Sequence, residues 1–310
     1  MSWVFRQLEY FVALARERHF ARAAAACYVS QPALSEAIRK LERELGVPLV
    51  QRGRTFEGLT PEGERLVLWA RRILADRDSL AHEVHALRTG LTGALRIGVI
   101  PAASGTVALL TDPFCTAHPL VRIQLETSLR SGTIVERIRR FELDAGIVYG
   151  DGVDTAGLTR TPLYDERQVL LAGTDLLAGR SGTITWSEAL ELPMCLLHKG
   201  MRGRDLIDDA LVPRGLVPAP RVETDSVVAL LAHVSTGRWA CVLPQPWLSI
   251  FPPPAGVRVL RLDDPAVTAG IVLVTPAVEP GSVLTTALVE TARTAGLDDT
   301  LRRAAMRRDE

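Results

Sequence analysis

Lysine is nearly absent from this 310-residue chain, occurring only at Lys40 and Lys199, and aromatic residues make up 5% of it. The four cysteines (27, 115, 195 and 241) form no CxxC and no paired spacing. That excludes a disulfide framework or a cysteine zinc site and fits a reduced cytoplasmic protein. No run of 18 uninterrupted apolar residues occurs, so no membrane span is expected. The first 18 residues are amphipathic and crossed by Arg6, Glu9 and Arg16, without the layout of a signal peptide. GxSxG, HExxH, P-loop and GxGxxG patterns are all missing, and no metal or cofactor site is expected. An enzyme is therefore disfavoured. Cys195 and His198 are close in sequence, but no third group orients them as a nucleophile pair.

Excess charge is missing too: 36 basic residues balance 36 acidic ones. The distribution is uneven. Residues 1–90 hold 14 Lys+Arg against 11 Asp+Glu, and the remainder holds 22 against 25. The sign suits an N-terminal nucleic-acid contact, but weakly. Hydrophobic content of 47% is ample for packed cores, and the length suits two or three domains.

What is present is concentrated in HFARAAAACYVSQPALSEAIRKLERELGVPLVQRGRTFEGLT, residues 19–60. Leu8, Phe11, Val12 and Ala15 predict a first amphipathic helix just before it. Phe20, Ala23 and Ala24 belong to a short second helix whose small residues permit close approach. After the turn Cys27-Tyr28-Val29, Ser30 is an N-cap and Pro32 is tolerated in the first turn of a third helix. Leu34, Ile38, Leu41 and Leu45 are expected to face its core, and Gly46 with Pro48 to end it. Gln31, Ser35, Arg39 and Lys40 are left outward. Glutamine can pair with adenine, arginine with guanine, and serine or lysine with phosphate. Residues 47–60 predict a β-hairpin wing with Gly53 and Gly58 as turn residues and Arg52 and Arg54 near its tip, where arginine suits a narrow groove or a phosphate. Together this is a helix-turn-helix with a basic wing.

Thr60 caps and Pro61 begins a long helix to about Arg88. Leu66, Ile73, Leu80 and Leu87 recur every seven residues, with Ala70 and Val84 on companion positions and Arg77 breaking that stripe. The repeat reads as a dimer seam. A dimer would carry two recognition helices to an operator with dyad symmetry. Residues 89–93 form a hinge.

From Ala94 the chain alternates apolar runs with amphipathic stretches. Strands are expected at 95–100, 121–126, 145–149, 168–173, 194–197, 240–244 and 270–275. Residues 149–162 read as a crossover between two lobes, with a return near 265–269. Ligands of such open α/β sheets sit beyond strand ends, where helix N-termini favour anions. The candidate effector-binding residues are Ser104, Thr106, Arg130, Ser131, Tyr149, His198, Met201, Arg202 and Thr224. A small anionic effector is the resulting expectation.

RQLEYFVALA (6–15), Phe20 with Ala23-Ala24, VSQPALSEAIRKLERELGVPL (29–49) and LTPEGE (59–64) resemble the LysR-type transcriptional regulators, and the likeness continues to about residue 295. The resemblance implies a winged helix-turn-helix over 1–60 and a linker helix over 61–90. It further implies an α/β effector-binding domain over 91–300, of the type 2 periplasmic-binding-protein fold. Lobe I is expected at about 94–160 and 268–300, and lobe II at about 161–267. DNA contacts are implied at Arg22, Ser30, Gln31, Pro32, Ser35, Arg39, Lys40, Arg52 and Arg54. Double-stranded DNA, a small-molecule effector, a homodimer and a homotetramer are the implied partners, and RNA polymerase is admitted as another. Departures are Ala21 in place of Thr or Ser, Glu36 in place of a basic or amide residue, a wing about one residue short, and Ala102 at a position where relatives often carry a hydroxyl. The competing reading is a solute-binding protein, suggested by residues 94–295 alone and disfavoured by the absent signal peptide. A thiol sensor is a further variant. Peroxide sensors of the family carry two cysteines close together in the second lobe. Here Arg202 stands near one expected place, and Cys195 and Cys241 lie 46 residues apart.

Overall fold

The computed structural model describes residues 2–52 and 56–306. It divides into two compact units. The first comprises residues 1–92, with the short segments 137–142 and 280–283, and the second holds the rest.

The first unit begins with α1 (Ser2–Glu17), α2 (Phe20–Ala26) and α3 (Gln31–Leu45). The strand pair β1 (Val50–Arg52) and β2 (Phe56–Leu59) follows, then α4 (Pro61–Thr89). Ala23 and Ala24 are fully buried, so α2 packs closely on its neighbours with little side chain to displace. Ser30 caps α3 by accepting from the Ala33 amide at 3.3 Å, and Gly46 ends it at φ 69°, a left-handed conformation that favours glycine. Leu34, Ile38 and Leu41 are buried as expected, but Leu45 is 46% exposed. It lies on the last turn, just before Gly46 turns the chain away.

The wing is tied to α3 by Glu42, whose Oε1 accepts the Leu49 and Val50 amides at 2.9 and 3.2 Å. β1 and β2 pair antiparallel with an irregularity at Gln51/Arg52. Thr60 donates to the Pro48 carbonyl and accepts from the Gly63 amide, joining the wing to the first turn of α4. Along α4, Leu66 does not lie on a free seam. It packs into the head core with Val67, Ala70 and Leu74. Trp69, Ile73, Leu80 and Val84 are exposed instead, because α4 turns those positions away from α1. The Leu87 side chain lies outside the described residues.

The second unit runs through β3 (Gly93–Val99), α5 (Ala108–Ala117), β4 (Val121–Glu126), α6 (Ser131–Arg139, whose last three residues group with the first unit), β5 (Ala145–Tyr149) and β6 (Leu158–Gly173). Next come β7 (Thr183–Thr185), α7 (Trp186–Leu190), β8 (Met194–Leu197), α8 (Arg202–Leu211), β9 (Val222–Thr224) and α9 (Val227–Val234). It ends with β10 (Ala240–Pro244), α10 (Trp247–Ile250), β11 (Val257–Asp263), β12 (Thr268–Pro276), α11 (Val283–Thr294) and α12 (Leu297–Met306). The strand order is β4-β3-β5-β12-β6-β10-β8-β9, with β11 pairing β6 and β7. β3, β4 and β5 are parallel, as are β8, β9 and β10, while β6 and β12 run antiparallel to their neighbours.

The 16-residue β6 is common to both lobes. It pairs with β12 through Arg167 and with β10 from Gln168 onward. The expected crossover at 149–162 is therefore a shorter loop followed by strand from Leu158. The sequence LTRTPLYDER hides this strand, because its apolar residues are interrupted and Pro162 reads as a breaker. Pro162 is tolerated beside a register shift opposite Ile271/Val272. β7, β9 and β11 were not expected either. Two are three residues long, and β11 mixes arginine with aliphatic residues.

Candidate effector cleft and nucleic-acid interface

On α3, Gln31, Ser35 and Arg39 stand at i, i+4 and i+8, so helical geometry puts them on one face. Gln31, Pro32, Arg39 and Lys40 are exposed and Ser35 is half-buried. Ser30 is also exposed, but its Oγ is engaged as the cap. Arg22 on α2 is held by the Glu17 carbonyl at 2.7 Å. Glu36 accepts from Arg43 at 2.9 Å and lies 3.7 Å from Arg39. The Arg43 hydrogen bond holds its carboxyl below the usual range. The acid's charge is thereby offset along the same helix. Arg52 ends β1, with its side chain outside the described residues, and Arg54 lies outside them entirely. Tyr28, assigned in the sequence only to the turn, is 95% exposed with φ 55° between α2 and α3.

A cavity of about 640 Å³ opens in the second unit. Six of the nine candidate effector residues line it: Ser104, Arg130, Ser131, Tyr149, Met201 and Arg202. They come from the ends of β3 and β5, the start of α6 and the start of α8, as the strand-end rule requires. The other three lie elsewhere. Thr106 is buried, sharing a 2.6 Å hydrogen bond with the Tyr164 phenol and donating to the Ala103 carbonyl. His198 is exposed and outside the cavity, its amide donating to the Thr224 carbonyl. Thr224 accepts the Ser226 amide at 3.2 Å and so shapes the entry to α9. These are loop-building roles, which spacing from a strand end does not distinguish from ligand contact.

The geometry gives one end of the cavity a donor character. Ser131 opens α6, where first-turn amides have no intrahelical partner, and its Oγ accepts the Tyr149 amide at 3.4 Å. Arg202 binds Asp209 through Nη1 at 3.1 Å, while its buried Nε has no hydrogen-bond partner among the described residues. A Cβ on Gly152 would lie 3.5 Å from that Nε, so the guanidinium rests over the glycine. Asp151, Asp205 and Asp225 also line the cavity, and Asp205 accepts the Gly200 amide at 2.9 Å. Trp247 forms part of the apolar wall and donates its indole N–H to the Ala102 carbonyl at 2.6 Å. Ala102, without a hydroxyl, contributes its backbone instead.

Behind the wall, fully buried Arg204 binds Asp208 at 2.8 Å, Glu223 at 2.9 Å and the Leu197 carbonyl at 3.1 Å. It ties α8 to β8 and β9. Glu166 of β6 is fully buried, and that burial raises its pKa to about 8. Burial also pushes up Tyr164, and Tyr149 well above the ordinary phenol range, so both phenols stay protonated near neutrality. Cys195 and Cys241, far apart in sequence, are directly paired positions on β8 and β10. Both are buried, and a thiol–thiol hydrogen bond together with burial pushes the Cys241 thiol up. Sequence separation had concealed this pairing, which parallel strands create.

The model of the LysR substrate binding domain matches residues 88–296, and that of the bacterial regulatory helix-turn-helix protein, lysR family, matches residues 5–64. A probable hydrogen peroxide-inducible genes activator of Streptomyces viridosporus is 32% identical over 275 residues, covering 86% of each chain. The nitrogen assimilation regulatory protein nac of Escherichia coli is 30% identical, covering 78% of each. A full-length OxyR variant from Pseudomonas aeruginosa superposes with a TM-score of 0.75 at 26% identity, over 96% of each chain. CbnR in complex with its target DNA gives 0.65 at 22% identity over 94% of this chain and 99% of that one, a likeness of fold. With a helix-turn-helix head, an α/β domain enclosing a cleft and both family domains matched, this chain belongs to the LysR-type transcriptional regulators and is not a solute-binding protein.

Proposed function

We propose that this regulator reads an operator of dyad symmetry through α3 and the wing, and that a small effector with one anionic group controls it from the cleft. Gln31, Ser35 and Arg39 read bases or phosphates, with Pro32, Lys40, Arg22, Arg52 and Arg54 around them. Ser30 contributes by fixing the helix start. The observation that carries the effector reading is Arg202, whose buried Nε lacks a partner among the described residues, in a cavity also lined by the α6 N-terminus. Exposed Asp151 and Asp225 disfavour a second negative charge on the ligand. Ser104, Arg130, Ser131, Tyr149 and Met201 complete the contacts. Nothing in this reading assigns the cleft a catalytic step.

The exposed apolar residues of α4 support a homodimer, and the reading extends to a homotetramer, to contact with RNA polymerase and to a cytoplasmic location. Peroxide induction belongs to the names of relatives. In this chain burial shields Cys195 and Cys241 from solvent, so control is placed in the cleft rather than on thiols.

Two measurements test the reading. Selection of bound sequences from random duplexes should return a dyad, and Gln31→Ala should cost about 1–3 kcal/mol at that sequence while sparing random DNA. A thermal-shift screen of small carboxylates should raise the melting temperature of the wild type, and Arg202→Ala should erase the shift. A screen in which only cationic or neutral compounds stabilise the wild type would discard the anionic effector.

A further inference from the structure

The cleft wall carries charges of both signs on separate elements. Arg130 precedes the first turn of α6 and Arg202 opens α8, while Asp151 follows β5, Asp205 belongs to α8 and Asp225 precedes α9. Two cations thus line the cavity with three acids. Most of these charges are already engaged. Asp205 accepts the Gly200 amide, and Arg202 binds Asp209, which does not line the cavity. Asp151 adjoins Gly152, over which the Arg202 guanidinium rests, so a positive charge stands close to it. Asp225 differs. It is exposed and has no hydrogen bond or ion pair through its carboxylate among the described residues. Ser226, next to it, caps α9 by accepting the Ala229 amide at 3.3 Å, and Val227 and Val228 continue the same wall. Buried Trp247 packs in one apolar cluster with Val227, and its indole hydrogen is taken by the Ala102 carbonyl. This side of the cleft therefore offers a ligand apolar surface and one open carboxylate.

We propose that the effector is amphoteric, an amino carboxylate whose carboxylate takes the Arg202 and α6 end of the cleft and whose ammonium pairs with Asp225. Its carbon skeleton lies between them against Trp247 and Val227. Charge balance selects this class. A plain carboxylate satisfies the arginine end, adds to the acid excess and desolvates Asp225 without a countercharge. A plain amine satisfies Asp225 and leaves the Arg202 Nε unmatched. Only a molecule with both groups meets both ends, so the cleft discriminates by penalising each half-ligand as well as by rewarding the whole one. The inference rests on the cleft being the effector site.

Calorimetric titrations of the full-length chain at neutral pH with matched trios test it. The trios are phenylalanine, phenylpropanoate and phenethylamine; γ-aminobutyrate, butyrate and butylamine; and aminomethylbenzoate, methylbenzoate and methylbenzylamine. Each keeps one skeleton and carries both charges, only the negative one, or only the positive one. At least one amino carboxylate should bind about five- to tenfold more tightly than its deaminated partner, the difference that one partly exposed ion pair supplies. Asp225→Asn should bring the two to equal affinity by weakening the amino carboxylate alone. Arg202→Ala should weaken both together. Asp225 is exposed, so its variant should keep the wild-type melting temperature. Deaminated carboxylates that bind as tightly as their amino partners in every trio overturn the inference and leave the anionic cleft standing. Binding by the amines alone overturns both readings. A preference for the amino carboxylate that survives Asp225→Asn overturns the role of Asp225, and no binding by any member of the trios overturns the amphoteric effector.

Discussion

A Cβ placed on Gly63 would stand 2.1 Å from the carbonyl oxygen of Leu49. The first turn of α4 and the entry to the wing touch there, backbone to backbone. Gly63→Ala should therefore destabilise the head by about 1–3 kcal/mol or more, through overpacking that no rotamer relieves. Gly132→Ala, with no neighbour within 4 Å, is the control and should leave folding unharmed. Equal unfolding midpoints for the two variants in denaturant would contradict this contact.

Glu36→Gln should strengthen binding to random duplex DNA. The substitution releases Arg39 and Arg43 from an acid on the same helix. The slope of log affinity against log salt should steepen by about one to two phosphate contacts. An unchanged slope in fluorescence-anisotropy titrations would show that neither arginine reaches the backbone.

Leu80→Glu and Leu66→Ala should separate the two faces of α4. Leu80 is 64% exposed, so Leu80→Glu should leave each chain folded and split the dimer by placing charge in the seam. Leu66 packs into the head, so Leu66→Ala should lower stability by about 2 kcal/mol and leave the dimer intact once folded. Light scattering together with thermal unfolding distinguishes the two outcomes. A dimer insensitive to Leu80→Glu would place the seam elsewhere.

Glu166 should make the second unit less stable as pH rises. Its pKa is about 8 folded against 4.5 for an unperturbed carboxyl. Below 4.5 both states hold the proton and folding bears no charge penalty. Between the two values only the unfolded chain loses it, so stability falls by on the order of 1.4 kcal/mol per pH unit and levels off above the folded value. Glu166→Gln should remove this slope. Denaturant curves at several pH values, compared as wild type minus variant, check it. A constant difference across the window would mean that Glu166 ionises normally.

The head was legible from local chemistry. Ser30, Gly46, Thr60 and Pro61 mark helix ends through caps and backbone preferences that depend on a few neighbouring residues, and the structure places those ends where the residues put them. The apolar strands at 145–149, 194–197 and 240–244 were legible for a similar reason, since continuous burial writes continuous hydrophobicity, while 121–126 was legible from its alternation of apolar and polar residues. Strand ends also located six of the nine cleft residues. What the sequence could not determine is which side chains meet across distant segments. Leu66 obeys the seven-residue repeat yet belongs to the head, because α1 happens to cover that side of α4. Thr106 follows a strand end as Ser104 does, yet one turns inward to Tyr164 and the other lines the cleft. Cys195 and Cys241 become neighbours only through parallel pairing of β8 with β10, and Glu166 loses its solvent only when β6 is enclosed in the folded domain. Periodicity and capping are properties of the chain. Burial, pairing and the charge state of a carboxyl are properties of its surroundings, and those exist only in the folded molecule.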